Sequence, residues 1–129
     1  ERRCWRSRFS MSFPRLRPAE GGFIAPHPLS DADLVQLICA WRLFSPNLDL
    51  SLSTREPAAL REHLLPLGVT SMSAGSSTRP GGYVVEPDLA LEQFSIDDNR
   101  TLKDVVAAVQ RLDYQPVWKD WDPHLHVSE

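Results

Sequence analysis

The sequence has few cysteines, and the two it has lie far apart. Its 129 residues include only Cys4 and Cys39, which are 35 positions apart. Such a pair neither forms a metal-binding knuckle nor requires a disulfide framework. The cysteine usage therefore predicts a protein of a reducing compartment, and we expect it in the cytoplasm.

The sequence also lacks long apolar runs and an excess of positive charge. No stretch approaches the roughly eighteen apolar residues of a membrane helix, and no apolar segment of a signal peptide follows the basic first residues. Fourteen Lys and Arg residues against seventeen Asp and Glu residues give a net charge of -3. We therefore expect neither a membrane nor a nucleic acid as a main partner.

Several motifs of catalysis and metal binding are absent. The stretch GSSTRPGG (75–82) is not a Walker loop, because no Gly-Lys-Ser/Thr follows at the required spacing. There is no G-x-S-x-G elbow with a convincing triad either. The four histidines lack the spacing of a metal triad, so the sequence predicts no metal site. They are His27, His63, His124 and His126.

Strand-like and helix-like patterns alternate along the chain. Alternating apolar residues predict strands, apolar residues three or four apart predict helices, and prolines mark several element ends. The predicted strands are 9–13, 48–53, 69–74 and 115–121, and the predicted helices are 30–44, 57–65 and 101–112. Ser30 or Asp31 is the expected N-cap of the first helix, and Thr101 with Asp104 is the expected capping pair of the third.

This order predicts an α/β fold in which parallel strands alternate with helices. Two architectures fit the pattern: an open doubly wound sheet, or a segment of a (β/α)8 barrel. A full barrel takes roughly 250 residues, so 129 residues would form about half of one.

Arginines and hydroxyl side chains follow the predicted strands. In parallel α/β folds the ligand site lies at the carboxyl ends of the strands. Arg15 and Arg17 follow the first strand, the segment 53–56 follows the second, and serines from Ser71 to Ser77 end the third. Guanidinium and hydroxyl groups bind a carboxylate or a phosphate, and the sequence predicts such an anion site. The residues alone show no catalytic base, nucleophile or metal ligand.

Five stretches, in the same order, resemble the carboxy-terminal part of the 2-iminoacetate synthase family. The resemblance runs from about Trp5 to Asp122, nearly the whole chain. The stretches are SFPRLRP (12–18), LSLSTRE (50–56), SMSAGSSTRPGGY (71–83), EQFSIDDNR (92–100) and PVWKDWD (116–122).

The resemblance implies a radical S-adenosylmethionine (SAM) tyrosine lyase of thiamine thiazole biosynthesis. It implies a TIM-type (β/α)8 barrel, of which this chain would form the carboxy-terminal half. It also implies a 4Fe–4S cluster, SAM and a 5'-deoxyadenosyl radical. The Cα–Cβ bond of L-tyrosine would be cleaved to 2-iminoacetate (dehydroglycine) and p-cresol, and thiazole synthase would be the partner protein that receives the dehydroglycine.

The resemblance also implies roles for individual residues. Arg55 would hold the tyrosine carboxylate, and Ser73 and Ser71 would support the substrate. Arg15 and Arg17 would be second contacts, to the substrate or to SAM.

The chain departs from the family in one respect: the C-x-x-x-C-x-x-C cluster motif is absent. We therefore expect the cluster ligands to lie outside this chain, and the chain alone to be inactive. Three alternatives remain: the related tyrosine lyase of iron-only hydrogenase maturation, a tryptophan lyase, and a non-catalytic half-barrel that binds a small carboxylate.

Overall fold

Three parallel strands alternate with three α-helices in the computed structural model, which describes residues 7–16, 24–78 and 95–119. One 3-10 turn, Leu65–Leu67, follows the second helix. The elements in chain order are β1 (Ser10–Ser12), α1 (Asp31–Phe44), β2 (Asp49–Leu52), α2 (Ala58–Leu64), β3 (Ser71–Met72) and α3 (Leu102–Arg111).

The strands form one sheet in the order β1-β2-β3, with both pairs parallel. Met11 lies opposite Leu50, and Leu52 lies opposite Met72. Ser51 lies between Ser12 on one side and Ser71 on the other. The predicted parallel α/β arrangement is therefore confirmed, with each observed strand shorter than its predicted range.

Capping boxes begin two of the helices. The Ser30 hydroxyl accepts the Asp33 N–H at 3.2 Å, and the Asp33 carboxylate accepts the Ser30 N–H at 3.0 Å. Thr101 and Asp104 repeat this exchange at 3.3 and 3.0 Å. Each box satisfies backbone donors that have no partner within the helix. The predicted N-terminus of α3 and the Ser30 alternative for α1 are confirmed.

The second helix ends with a change of geometry. α2 spans Ala58–Leu64, and the chain tightens into the 3-10 turn that contains Pro66. Gly68 then adopts a φ of 100°, and a Cβ atom there would lie 2.7 Å from the Arg42 Nε. The positive φ favours glycine at this position, and a Cβ atom there would displace the Arg42 side chain.

The two faces of the sheet differ in chemistry because side chains alternate along each strand. Leu50 and Leu52 are buried on one face, where they pack with Leu34 and Ile38 of α1 and Leu64 of α2. The opposite face carries four serines, Ser10, Ser12, Ser51 and Ser71, and we call it the serine face. It also carries one carboxylate, Asp49, which lies opposite Ser10 and pairs with Arg8 at 2.8 Å.

Part of the predicted apolar face of α1 lies in solvent. Leu34 and Ile38 are buried as expected, but Phe44 is 81% exposed. Its ring contacts Trp41 edge-on, with the ring centroids 5.6 Å apart. Phe44 is the last residue of α1.

The fourth predicted strand, 115–121, does not form in its described part, 115–119. Pro116 removes a backbone donor, and Val117 and Trp118 are 69% and 44% exposed. In the described chain β3 pairs with β2 alone, so these residues add no strand to the sheet. Asp120 and Trp121 lie outside the described residues, as do Arg17, His124 and His126.

Because they differ in burial, we expect two leucines of α1 to differ in how much their replacement by alanine lowers the free energy of unfolding. Leu34→Ala removes a side chain with 0% exposure and should lower the free energy of unfolding by about 2–5 kcal/mol. Leu43→Ala, at 84% exposure, should change it by less than about 0.5 kcal/mol. Urea denaturation followed by circular dichroism measures both values. Equal losses would contradict the assignment of the core.

Candidate functional site

Arg15 follows β1 and is held by carboxylates. Its Nε donates to both carboxylate oxygens of Glu56, each at 3.0 Å, and its Nη2 also contacts Glu56. Its Nη1 donates to Asp31 Oδ1 at 2.6 Å and to the carbonyl of Leu29 at 3.2 Å. The hydrogen bond with Glu56 is the main cause of the raised pKa of Arg15. All three guanidinium nitrogens therefore have protein acceptors, and a contact of Arg15 with a substrate or SAM stays a prediction.

Arg55 lies in the turn that follows β2, between two buried residues. The exposed fraction is 3% for Thr54 and 1% for Glu56, whereas Arg55 is half-buried. The N–H of Arg55 donates to the Ser53 Oγ at 3.3 Å. Arg55 is therefore a cation at the carboxyl end of β2, and its two neighbours in sequence, Thr54 and Glu56, are buried.

Ser71 and Ser73 line one wall of an open cavity of about 830 Å³. Ser10 and Ser51 of the serine face line it too, and Val105 and Val109 of α3 form an apolar wall. The structure thus brings together two of the predicted substrate residues. Arg55 and Arg15 are not among the described residues that line this cavity.

A buried ionic cluster at the same end of the sheet was not predicted from the sequence. Arg61 of α2 has no exposed surface, and its Nη1 forms an ion pair with the buried Asp98. Its Nη2 donates to the carbonyl of Ser73. Arg100 donates to the two Asp98 oxygens at 2.9 and 2.8 Å. The cluster ties α2, the end of β3 and the segment before α3 together.

One sequence signal does point to this cluster. Arg61 stands three positions before Leu64, so both lie on the buried side of α2. An arginine on such a face requires an acidic partner, because a buried charge without one is costly. The acidic pair Asp97-Asp98 offers that partner, but the sequence does not show that the chain returns to α2.

The charge states of the cluster follow from burial and hydrogen bonding. Burial alone raises the pKa of Asp98, but hydrogen bonds from Arg100 and Arg61 outweigh it and lower the pKa to about 2. Burial is the main cause of the lowered pKa of Arg61, and Asp98 opposes it. The hydrogen bond to Asp98 is the main cause of the raised pKa of Arg100.

The described residues do not fit an iron–sulfur cluster. No group of three His, Cys, Asp or Glu side chains among them could hold a metal ion. Cys39 is a half-buried free thiol in α1, and His63 Nδ1 lies 2.7 Å from the Ala59 carbonyl. Within the same residues, no helix is both long and apolar enough to cross a membrane.

Acid should weaken the fold through Asp98. Its folded pKa of about 2 lies below the ordinary value of 3.8, so its stabilising effect is full above about pH 5 and is lost as the pH falls towards 2. Urea denaturation should show that this carboxylate accounts for a loss of about 1 kcal/mol between pH 5 and pH 3. The Asp97→Asn variant should still show this acid-induced loss of stability, and the Asp98→Asn variant should not show it. Asp98→Asn should also lose about 3 kcal/mol at pH 7, since Arg61 is left without its buried partner.

Known proteins match this chain in sequence and in structure. It is 47% identical over 125 residues to 2-iminoacetate synthase of Salmonella typhimurium and 49% identical over 121 residues to that of Escherichia coli. These alignments cover 97% and 94% of the chain, but only 33% and 32% of the relatives. The chain therefore spans about a third of the length of the curated relatives it matches.

Two solved structures share the fold. The FeFe-hydrogenase maturase HydG from Carboxydothermus hydrogenoformans matches with a TM-score of 0.69 and 36% identity, over 81% of this chain and 24% of that one. A second HydG maturase structure matches with a TM-score of 0.71 and 34% identity, over 81% of this chain and 23% of that one.

A family profile accounts for most of the chain. The Biotin and Thiamin Synthesis associated domain matches residues 12–115, which contain all the described strands and helices except the start of β1. The relatives named 2-iminoacetate synthase confirm the resemblance that the five sequence stretches indicated. This chain belongs to the family of the Biotin and Thiamin Synthesis associated domain.

Proposed function

We propose that this chain is the carboxy-terminal third of a 2-iminoacetate synthase. In the full-length enzyme it would help to bind L-tyrosine for cleavage of the Cα–Cβ bond to 2-iminoacetate and p-cresol. The observation that carries the proposal is the identity to two bacterial 2-iminoacetate synthases along almost the whole chain. A cytoplasmic enzyme that passes 2-iminoacetate to thiazole synthase is part of this proposal.

The sheet would form part of a (β/α)8 barrel. The face that carries Leu50 and Leu52 packs against α1 and α2, as the outer face of a barrel strand does. The serine face would then point to the interior, which bulky branched side chains fill in most barrels. Serines at Ser10, Ser51 and Ser71 would leave room for a substrate beside the strands.

The substrate carboxylate would bind to Arg55. A guanidinium offers two parallel N–H donors to a carboxylate, and Arg55 follows β2 at the carboxyl end of the sheet, where α/β enzymes bind their substrates. The neighbouring strand β3 would support the substrate through two hydroxyls, that of Ser71 within the strand and that of Ser73 just after its end. Arg15 and Arg17 remain proposed second contacts.

The ligands of the 4Fe–4S cluster would lie in other parts of the enzyme, because the C-x-x-x-C-x-x-C motif is absent from this sequence. The roles proposed for this chain are therefore binding and orientation of the amino acid. Both can be tested with substrate binding as well as with turnover.

A second candidate is the tyrosine lyase of hydrogenase maturation, and the two HydG maturase structures favour it. Both candidates act on tyrosine and release p-cresol, but their second products differ. The full-length enzyme should give p-cresol with dehydroglycine, which hydrolyses to glyoxylate and ammonia. Release of cyanide and carbon monoxide in amounts equal to p-cresol would instead establish the second candidate.

Arg55→Lys should impair tyrosine turnover in the full-length enzyme. Lysine keeps the charge but loses the planar pair of donors, and we expect the KM for L-tyrosine to rise about tenfold or more. Arg111→Lys is the matched control, since Arg111 is an exposed residue of α3 whose Nη2 lies 3.9 Å from Glu62 Oε1. p-Cresol formation measures both. A normal KM for Arg55→Lys would exclude Arg55 as the carboxylate anchor.

A further inference from the structure

We propose that Glu56 is a positioning residue for Arg55. Its carboxylate, held by Arg15, would fix the turn that carries Arg55 and so preorganise the guanidinium for the substrate carboxylate. The inference rests on the proposed function, because it concerns the ligand that Arg55 is proposed to hold.

The first constraint on the turn comes from the β1 side. Arg15 Nε donates to both oxygens of Glu56 at 3.0 Å, and the Glu56 side chain is 2% exposed. Two-point contacts between a guanidinium and a carboxylate fix orientation as well as distance. Glu56 directly follows Arg55, so this ion pair restrains the backbone on one side of Arg55.

The second constraint comes from the segment before α3. The carbonyl of Thr54 accepts the N–H groups of Asp97 and Asp98 at 3.2 and 3.1 Å. Asp98 is itself held by Arg61 and Arg100. Thr54 directly precedes Arg55, so the backbone on the other side of Arg55 is restrained as well.

Restraint on both sides matters because substrate binding depends on small distances. A displacement of about 1 Å in a positioning residue can reduce rates about a hundredfold, since the bound geometry is lost. The flanking residues are buried and held, whereas Arg55 itself is half-buried. A fixed backbone lowers the entropy that Arg55 loses when it binds an anion.

In this arrangement Arg15 would have a role in addition to the second contact proposed above. Its acceptors are Glu56, Asp31 and the Leu29 carbonyl, which together occupy all three guanidinium nitrogens. It would therefore act on the substrate through Glu56 and Arg55.

The test compares two ligands that differ in the carboxylate. L-Tyrosine and tyramine share the phenol and the amine, but tyramine lacks the carboxylate. Isothermal titration calorimetry of the full-length enzyme without reductant measures both dissociation constants in the absence of turnover. Glu56→Gln should raise the Kd of L-tyrosine about tenfold and change that of tyramine less than about twofold. In an Arg55→Lys background, Glu56→Gln should add less than about twofold for L-tyrosine.

Two further variants separate positioning from stability. Asp31→Asn removes another carboxylate partner of the same Arg15 but leaves the turn intact, and Asp31 is 66% exposed. It should leave both dissociation constants unchanged. Arg15→Lys keeps the charge but loses the two-point contact, and it should reproduce the loss specific to L-tyrosine. If the Glu56→Gln variant does not fold, the Arg15→Lys variant tests the positioning role in its place.

Equal losses for both ligands would overturn the positioning role, since Glu56 would then support the whole fold. No loss for either ligand would overturn it too. A wild-type enzyme that does not bind L-tyrosine would instead overturn the proposed function. Binding of L-tyrosine that Arg55→Lys leaves unchanged would overturn Arg55 as the anchor.

Discussion

The buried ion pair between Arg61 and Asp98 determines how the carboxyl end of the sheet is assembled. Through it, α2 binds a segment that lies 37 positions further along the chain. The same guanidinium donates to the carbonyl of Ser73, and the backbone N–H groups of Asp97 and Asp98 donate to the carbonyl of Thr54. One ion pair thus links the ends of β2 and β3 to the start of α3. The candidate substrate residues Arg55 and Ser73 stand beside these linked carbonyls.

Burying these charges is costly, and the cost explains why each buried carboxylate receives more than one hydrogen bond from arginine. Desolvating an ion pair costs several kcal/mol per charge, and the attraction offsets this only when further hydrogen bonds are made. Asp98 has two arginine partners and Glu56 receives the Arg15 Nε on both oxygens. An apolar replacement of similar size would satisfy the same space, but it would not fix the direction of the chain. These ion pairs therefore fix the geometry of the chain at the strand ends.

The comparison with known proteins and the geometry support the same function from different sides. Identity to 2-iminoacetate synthases supports the proposed reaction, and the chain covers a third of those proteins. The geometry offers an arginine at a strand end, serines on one sheet face and a cavity of about 830 Å³ beside them. None of these features requires a metal in the described residues. They fit the role proposed for this chain, which is to bind and orient an amino acid.

The sequence by itself determined the elements that depend on local patterns. Alternating leucines placed β2, the N-cap alternatives Ser30 and Asp31 placed the start of α1 to within one residue, and the pair Thr101-Asp104 placed the start of α3. Strand alternation and capping act over a few residues, so local patterns are enough for these elements. The sequence also placed Arg55 and Ser73 at strand ends. Only the tertiary structure decided that Arg15 pairs with Glu56, that Arg61 pairs with Asp98, and that residues 115–119 form no strand. These outcomes depend on contacts between residues about 40 positions apart, or on which backbone edge is available, and no local pattern encodes either.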